Sequence, residues 1–158
     1  MKKIILLIAI AIFTFACKSQ SPVSTKLDNK SEVAIKGNWT MSDVTYPGSE
    51  YIKVSSFDIA DSKCFVGSTW KFISNNNTGN FALTKPSCPT VDMKITWYIN
   101  KEGQFVMKFI DAGVKRKSVT DGVILTVANQ TENSFQLIDR INVGGKSVEV
   151  VYQFQRAI

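Results

Sequence analysis

The chain has 158 residues, 44% of them hydrophobic and 20% charged, with 19 Lys and Arg against 13 Asp and Glu for a net charge of +6. That length serves one domain with a real core and leaves too little for two. Histidine is absent, which removes the commonest general base, the His-dependent Ser and Cys triads and most zinc sites; with no phosphate-cradling Gly-rich motif and only isolated acids, the sequence reads as a non-enzyme with no cofactor and no metal.

Lys2 and Lys3 precede an unbroken apolar run from Ile4 to Phe13, followed by Thr14, Phe15, Ala16 and Cys17. Residues 1–16 read as a secretory signal peptide, since the run stops well short of the about 20 apolar residues that a spanning helix needs. Thr14-Phe15-Ala16-Cys17 resembles the lipobox of bacterial lipoproteins, departing from it in Thr14 and bulky Phe15, where Leu and a small residue are usual. The resemblance implies that Cys17 is lipidated, becomes the mature N-terminus and anchors the chain in a membrane; an ordinary cleaved signal with an incidental cysteine is the alternative. Lys18, in place of an aspartate, points to the outer membrane, facing the periplasm. Without Lys2 and Lys3 the charged side chains number 17 basic against 13 acidic, a modest +4. Residues 17–32, rich in Ser, Lys, Asn and Thr, read as the lipidated N-terminus and a flexible spacer, and residues 33–158 as the domain.

Three cysteines less Cys17 leave Cys64 and Cys88, and an even pair outside the cytoplasm suggests a disulfide. Its closure stabilises by roughly 3.5 kcal/mol on the chain-entropy model. The alternative, a reactive or metal-binding thiol pair, would leave two thiolates as an incomplete zinc site.

Beyond Val33 the pattern has period two and no long run at helical spacing, which predicts an all-β domain. Weaker strands near Asn38–Tyr46 and Tyr51–Phe57 come first, and Asp58–Lys63 is a candidate short helix with Asp58 as its N-cap. Asp58 and Asp61 are better read as a capped turn than as a catalytic pair. Trp70 and Phe72 share a face, Asn75 to Gly79 makes a turn that tolerates positive φ, and Phe81 and Leu83 return. That Asn-rich tip is better read as serving the backbone than as offering amides to a sugar or peptide. Ile95, Trp97 and Ile99, the turn Asn100–Gly103, then Phe105, Met107 and Phe109 form a second hairpin. Val106 and Ile110 lie on the opposite face, so part of the outer wall is expected to be covered by a helix, a loop or a partner. Lys115-Arg116-Lys117 reads as a solvated loop or strand edge with no nucleic acid for a partner. Val123, Leu125 and Val127, then Phe135 and Leu137, and after Gly144-Gly145 Val148, Val150, Tyr152 and Phe154, complete the pattern. Short turns between successive strands favour a single up-and-down antiparallel β-barrel of eight or nine strands, because closure removes exposed edges.

Gly37-Asn38-Trp39 at the head of the first strand resembles the Gly-x-Trp signature of lipocalins. Cys64, Ser68-Thr69-Trp70-Lys71-Phe72, Cys88, Ile95-Thr96-Trp97-Tyr98-Ile99 and the closing Tyr152-Gln153-Phe154-Gln155-Arg156 extend the likeness, which is to the lipocalin-like lipoproteins of Gram-negative bacteria and covers roughly Val33 to Ile158. The resemblance implies that Trp39 packs across the closed end of the barrel beneath Arg156, a structural pair. The long hydrophilic loop over the open end of secreted carrier lipocalins is not obvious here.

Two functional readings from different classes follow. In the first, the barrel binds a small apolar or amphipathic ligand in the bacterial envelope, with Trp70, Phe72, Trp97, Phe105, Met107, Phe109, Phe135 and Tyr152 as pocket walls. The same residues are equally what a solid core would contain. In the second, a filled barrel docks an envelope protein as a non-enzymatic accessory lipoprotein. A proteinase inhibitor is a third, weaker reading, for which no inhibitory segment is recognisable.

Overall fold

The computed structural model describes residues 29–49, 52–110 and 122–158. The signal segment, Cys17, the first part of the expected spacer and Lys115-Arg116-Lys117 lie outside them. A short helix α1 (Asn29–Ile35) leads into β1 (Gly37–Thr45), so the last four residues of the expected spacer are helical. A ribbon of β2 (Ser55–Ser56) and β3 (Ala60–Asp61) and a 3-10 turn (Ser62–Phe65) follow. The remaining strands are β4 (Thr69–Ile73), β5 (Thr78–Leu83), β6 (Val91–Ile99), β7 (Gln104–Phe109), β8 (Val123–Ala128), β9 (Ser134–Val143) and β10 (Lys146–Arg156).

Eight of these close into an antiparallel barrel in the order β1-β10-β9-β8-β7-β6-β5-β4, an up-and-down meander as the alternating pattern predicts. Closure is made by β1, which pairs with β10 on one side (Trp39↔Arg156, Val44↔Tyr152) and with β4 on the other (Gly37↔Phe72, Thr40↔Thr69). Period-two alternation turns Phe135, Leu137 and Asp139 of β9, and Val148, Val150, Tyr152 and Phe154 of β10, to the same interior.

Two local expectations are corrected. Of the strand expected over Tyr51–Phe57, the described residues 52–57 form a strand only at Ser55–Ser56, which belongs to the ribbon rather than to the barrel. The helix expected over Asp58–Lys63 with Asp58 as cap is instead the 3-10 turn at Ser62–Phe65, capped by Asp61, whose Oδ1 accepts a hydrogen bond from the Lys63 N–H at 2.9 Å. Asp58 cannot cap it because Phe57 and Asp58, at φ 56° and 54°, are the inner residues of a turn closed by Ile59 N–H to the Ser56 carbonyl at 3.0 Å.

The outer wall is unevenly covered. Val106, which faces outward between Tyr98 and Ile124, is buried, whereas Ile110 and Ile124 remain 51% and 53% exposed.

Candidate functional site

The two ends of the barrel are built differently. At the end where β1 begins, α1 lies across the opening and buries Ile35 fully. Trp39 Nε1 donates to the Ile35 carbonyl at 2.7 Å, and Phe135 meets the indole edge-on at 4.7 Å. The Arg156 guanidinium sits 4.3 Å from the Trp39 ring, donates from Nε to the Glu132 carbonyl at 2.7 Å, and reaches the Ala34 and Lys36 carbonyls at 3.4 and 3.5 Å. Gly37 has φ 130°, and a Cβ there would stand 2.7 Å from Arg156 Nη1, which is why a glycine precedes Trp39 by two residues. Glu32 is buried, and its carboxylate accepts the Ile99 N–H at 3.1 Å, satisfying the last residue of β6. Gly37, Trp39 and Arg156 therefore form a structural plug. A solvent-open cleft of about 730 Å³ lies outside it, between α1 and the turn Gln130–Asn133.

The structure brings all eight sequence-predicted pocket residues to the interior, where all but half-buried Phe109 are buried. In the closed half they fill the space themselves. Phe72 meets Trp97 at 5.3 Å and Phe105 at 5.6 Å, Trp97 stacks on Phe105 at 5.5 Å, and Phe135 stacks on Phe154 at 4.6 Å. Such ring pairs gain beyond their area burial, and a narrow eight-stranded barrel leaves little room besides. Trp70, stacked on Phe81 at 4.4 Å, closes this packing toward the other end.

At that other end, the mouth, the described residues 46–49 and 52–68 between β1 and β4 form a lid. The loop over the mouth is thus present, but it is largely apolar on its inner side: Val54 and Phe65 are buried, and Ile52, Phe57, Ile59 and Val66 pack against the core. Cys64 of the 3-10 turn is disulfide-bonded to Cys88 in the β5–β6 connection, as the cysteine count predicts, tying lid to wall. Phe57 stacks on Tyr152 at 5.0 Å and meets Phe65 at 5.2 Å, Phe109 at 5.8 Å and Trp70 at 6.4 Å. The Tyr152 hydroxyl donates to Ser56 Oγ at 2.7 Å, and the Tyr46 and Ser62 hydroxyls are hydrogen-bonded to each other. Burial pushes the Tyr152 phenol well above its ordinary range, opposed by the bond to Ser56 and reinforced by the charge of Asp139. Asp139 faces inward opposite Val150; burial raises its carboxyl above the usual range, partly offset by the Arg140 backbone N–H.

The residues missing from the sequence reading of the site are Phe57, Ser56, Phe65 and Asp139. Asp139 was available to it, since it continues the alternation of Phe135 and Leu137; no comparable signal marks Phe57, whose strand is two residues long.

A family model described as a lipocalin-like domain matches residues 35–137. Among solved structures, a complex of bovine odorant-binding protein with a selenium-containing odorant is similar over 85% of this chain and 78% of that one, with 11% identity and a TM-score of 0.46. Bovine odorant-binding protein with its natural ligand is similar over 85% and 77%, with 14% identity and a TM-score of 0.43. No curated protein sequence matches the chain.

Proposed function

Because the chain belongs to the family of lipocalin-like domains, whose model matches residues 35–137, we propose that it binds a small apolar or amphipathic molecule at the mouth of its barrel. The observation that carries this reading is the contrast between the two ends. The closed half is filled by side chains of the wall itself, whereas the mouth is filled by a ring delivered from a loop, Phe57, against Tyr152, Phe109 and Phe65. A loop can withdraw at far lower cost than a wall strand, so binding capacity resides there. The chain acts without catalysis, as a carrier or sensor.

The proposed setting is the bacterial cell envelope, with the chain exported by its signal segment, lipidated at Cys17 and anchored in the outer membrane facing the periplasm. The apolar run, the Cys17 context and the disulfide support it. Because α1 precedes β1 at the closed end, the mouth would point away from such an anchor.

The test is displacement of fluorescent fatty-acid and retinoid probes by a hydrophobic panel from the purified mature protein, with the intact mass reporting the diacylglycerol. Saturable retention is expected; no binding across the panel would overturn the reading. A second reading, docking of an envelope protein, is favoured by one observation, the exposure of Ile110 and Ile124 on the outer wall. Co-purification of a single stoichiometric partner, lost on Ile124→Lys, would support it over the first.

A further inference from the structure

Phe57 occupies a position that phenylalanine rarely takes. Ser56–Ile59 is a turn with positive φ at both inner residues, Phe57 at 56° and Asp58 at 54°, closed by the Ile59 N–H to Ser56 carbonyl bond. This is the type I′ arrangement, which favours Gly, Asn or Asp and which a bulky side chain adopts only under strain. Such strain persists where the surroundings hold it, and it gathers at ligand clamps and switch regions. What holds it here is the ring's insertion among Tyr152, Phe65, Phe109 and Trp70.

Near the tyrosine on which this ring stacks lies the one acid of β9. Asp139 pairs with Val150 across the β9–β10 ladder, while the neighbouring pair is Leu137 with Tyr152, so the carboxylate stands one step along the same interior face from the tyrosine that Phe57 stacks on. Its burial disfavours the charged form, which the Arg140 backbone N–H partly supports, and its charge bears on the Tyr152 phenol. A partly buried carboxylate with no cationic side chain hydrogen-bonded or ion-paired to it among the described residues is costly to keep charged, and that cost is relieved by a cation brought from outside.

Resting on the reading of the mouth as the binding site, we propose that Phe57 is a displaceable plug, and that the place it fills is a subsite for a flat ring whose protonated amine reaches Asp139. On binding, the ligand ring takes over the Tyr152 face, the turn carrying Phe57 swings out and loses its strain, and the Tyr152 bond to Ser56 breaks with it. The ligand class is an aromatic or ring-bearing amine, in preference to a ring-bearing carboxylate.

The test uses three fluorescent naphthalenes of one shape and different heads: naphthylmethylamine, methylnaphthalene and naphthylacetate. The mature protein is expected to hold the amine at least 10-fold more tightly than the acetate. Phe57→Gly suits the turn better than phenylalanine and removes the internal competitor; it should tighten the neutral ring about 10-fold, and Phe57→Asn should act alike. Asp139→Asn should abolish the preference for the amine while leaving methylnaphthalene unchanged. Thermal melts of each variant establish that it is folded. Folded Phe57 variants that bind the neutral ring no better than the parent overturn the plug, and an amine preference that survives in Asp139→Asn overturns the headgroup. If fatty-acid probes bind while no naphthalene does, this proposal fails and the broader binding function stands; if neither binds, both fail.

Discussion

Replacing both bridging cysteines by alanine isolates what the crosslink contributes. Cys64 and Cys88 are 24 residues apart, and at that loop length the chain-entropy relation gives roughly 3.5 kcal/mol of destabilisation when the bridge is lost. Alanine introduces no buried hydroxyl at Cys64, so the loss is close to the crosslink alone. At about 4 °C per kcal/mol for a domain of this size, the melting temperature should fall by roughly 10–20 °C. The bridge ties the 3-10 turn of the lid to the β5–β6 connection, so the effect should be local as well as global. Hydrogen exchange at Phe65 and at the ribbon Ser55–Asp61 should accelerate before that of β9 and β10. Calorimetry with and without dithiothreitol is the assay, because reductant should bring the parent down to the variant and leave the variant unmoved. A fall of less than about 3 °C, or a variant that still responds to reductant, would refute the reasoning.

Arg156→Lys keeps a positive charge but loses the planar stack on Trp39 and the guanidinium fork; a loss of about 1–2 kcal/mol in urea denaturation is expected, and a lysine variant as stable as the parent would show that charge alone suffices. Glu32→Ala leaves the Ile99 N–H without its carboxylate and should cost about 1–3 kcal/mol, whereas Glu32→Gln, which retains an acceptor, should cost markedly less by the same measurement. Asp139 provides a pH test. Its native carboxyl is raised by burial, so the contribution of the group to stability is fully present below the ordinary carboxylate range and is lost as pH rises through the native value. Asp139→Asn should therefore raise the melting temperature at pH 7 and leave it unchanged near pH 3; an equal shift at both pH values would mean that ionisation is not the cause.

Most of the barrel was legible in the sequence because its wall strands bury one face, and burial of one face writes a period of two into the chain. Phe105, Met107 and Phe109, or Val148, Val150 and Tyr152, are read directly. The lid was not legible because its order comes from ties to residues outside it: Tyr152 to Ser56 and Cys88 to Cys64. Two-residue strands are too short to show a period, and a phenylalanine at positive φ contradicts the turn chemistry on which a sequence reading relies. The eight aromatic and apolar pocket residues were placed inside correctly as positions, but composition cannot tell a wall around a space from a wall that fills it. Contact between rings decides that, and in the closed half the rings touch. Glu32 escaped because a lone acid in a polar stretch carries no sign of burial.

The pairing of the first barrel strand with the last has a bearing on how the chain comes to be folded. Trp39 faces Arg156 across the closing ladder, and the Ala157 N–H donates to the Asn38 carbonyl at 3.0 Å. The cylinder therefore has no seam that can shut until β10 has joined β1. Every earlier fragment is a curved sheet with a bare edge at each side, and the contacts that would seal it span nearly the whole described sequence, which makes closure slow. A polypeptide so arranged stays an open sheet for as long as β10 is held elsewhere, and it closes into a barrel only once that strand is released to pair with β1.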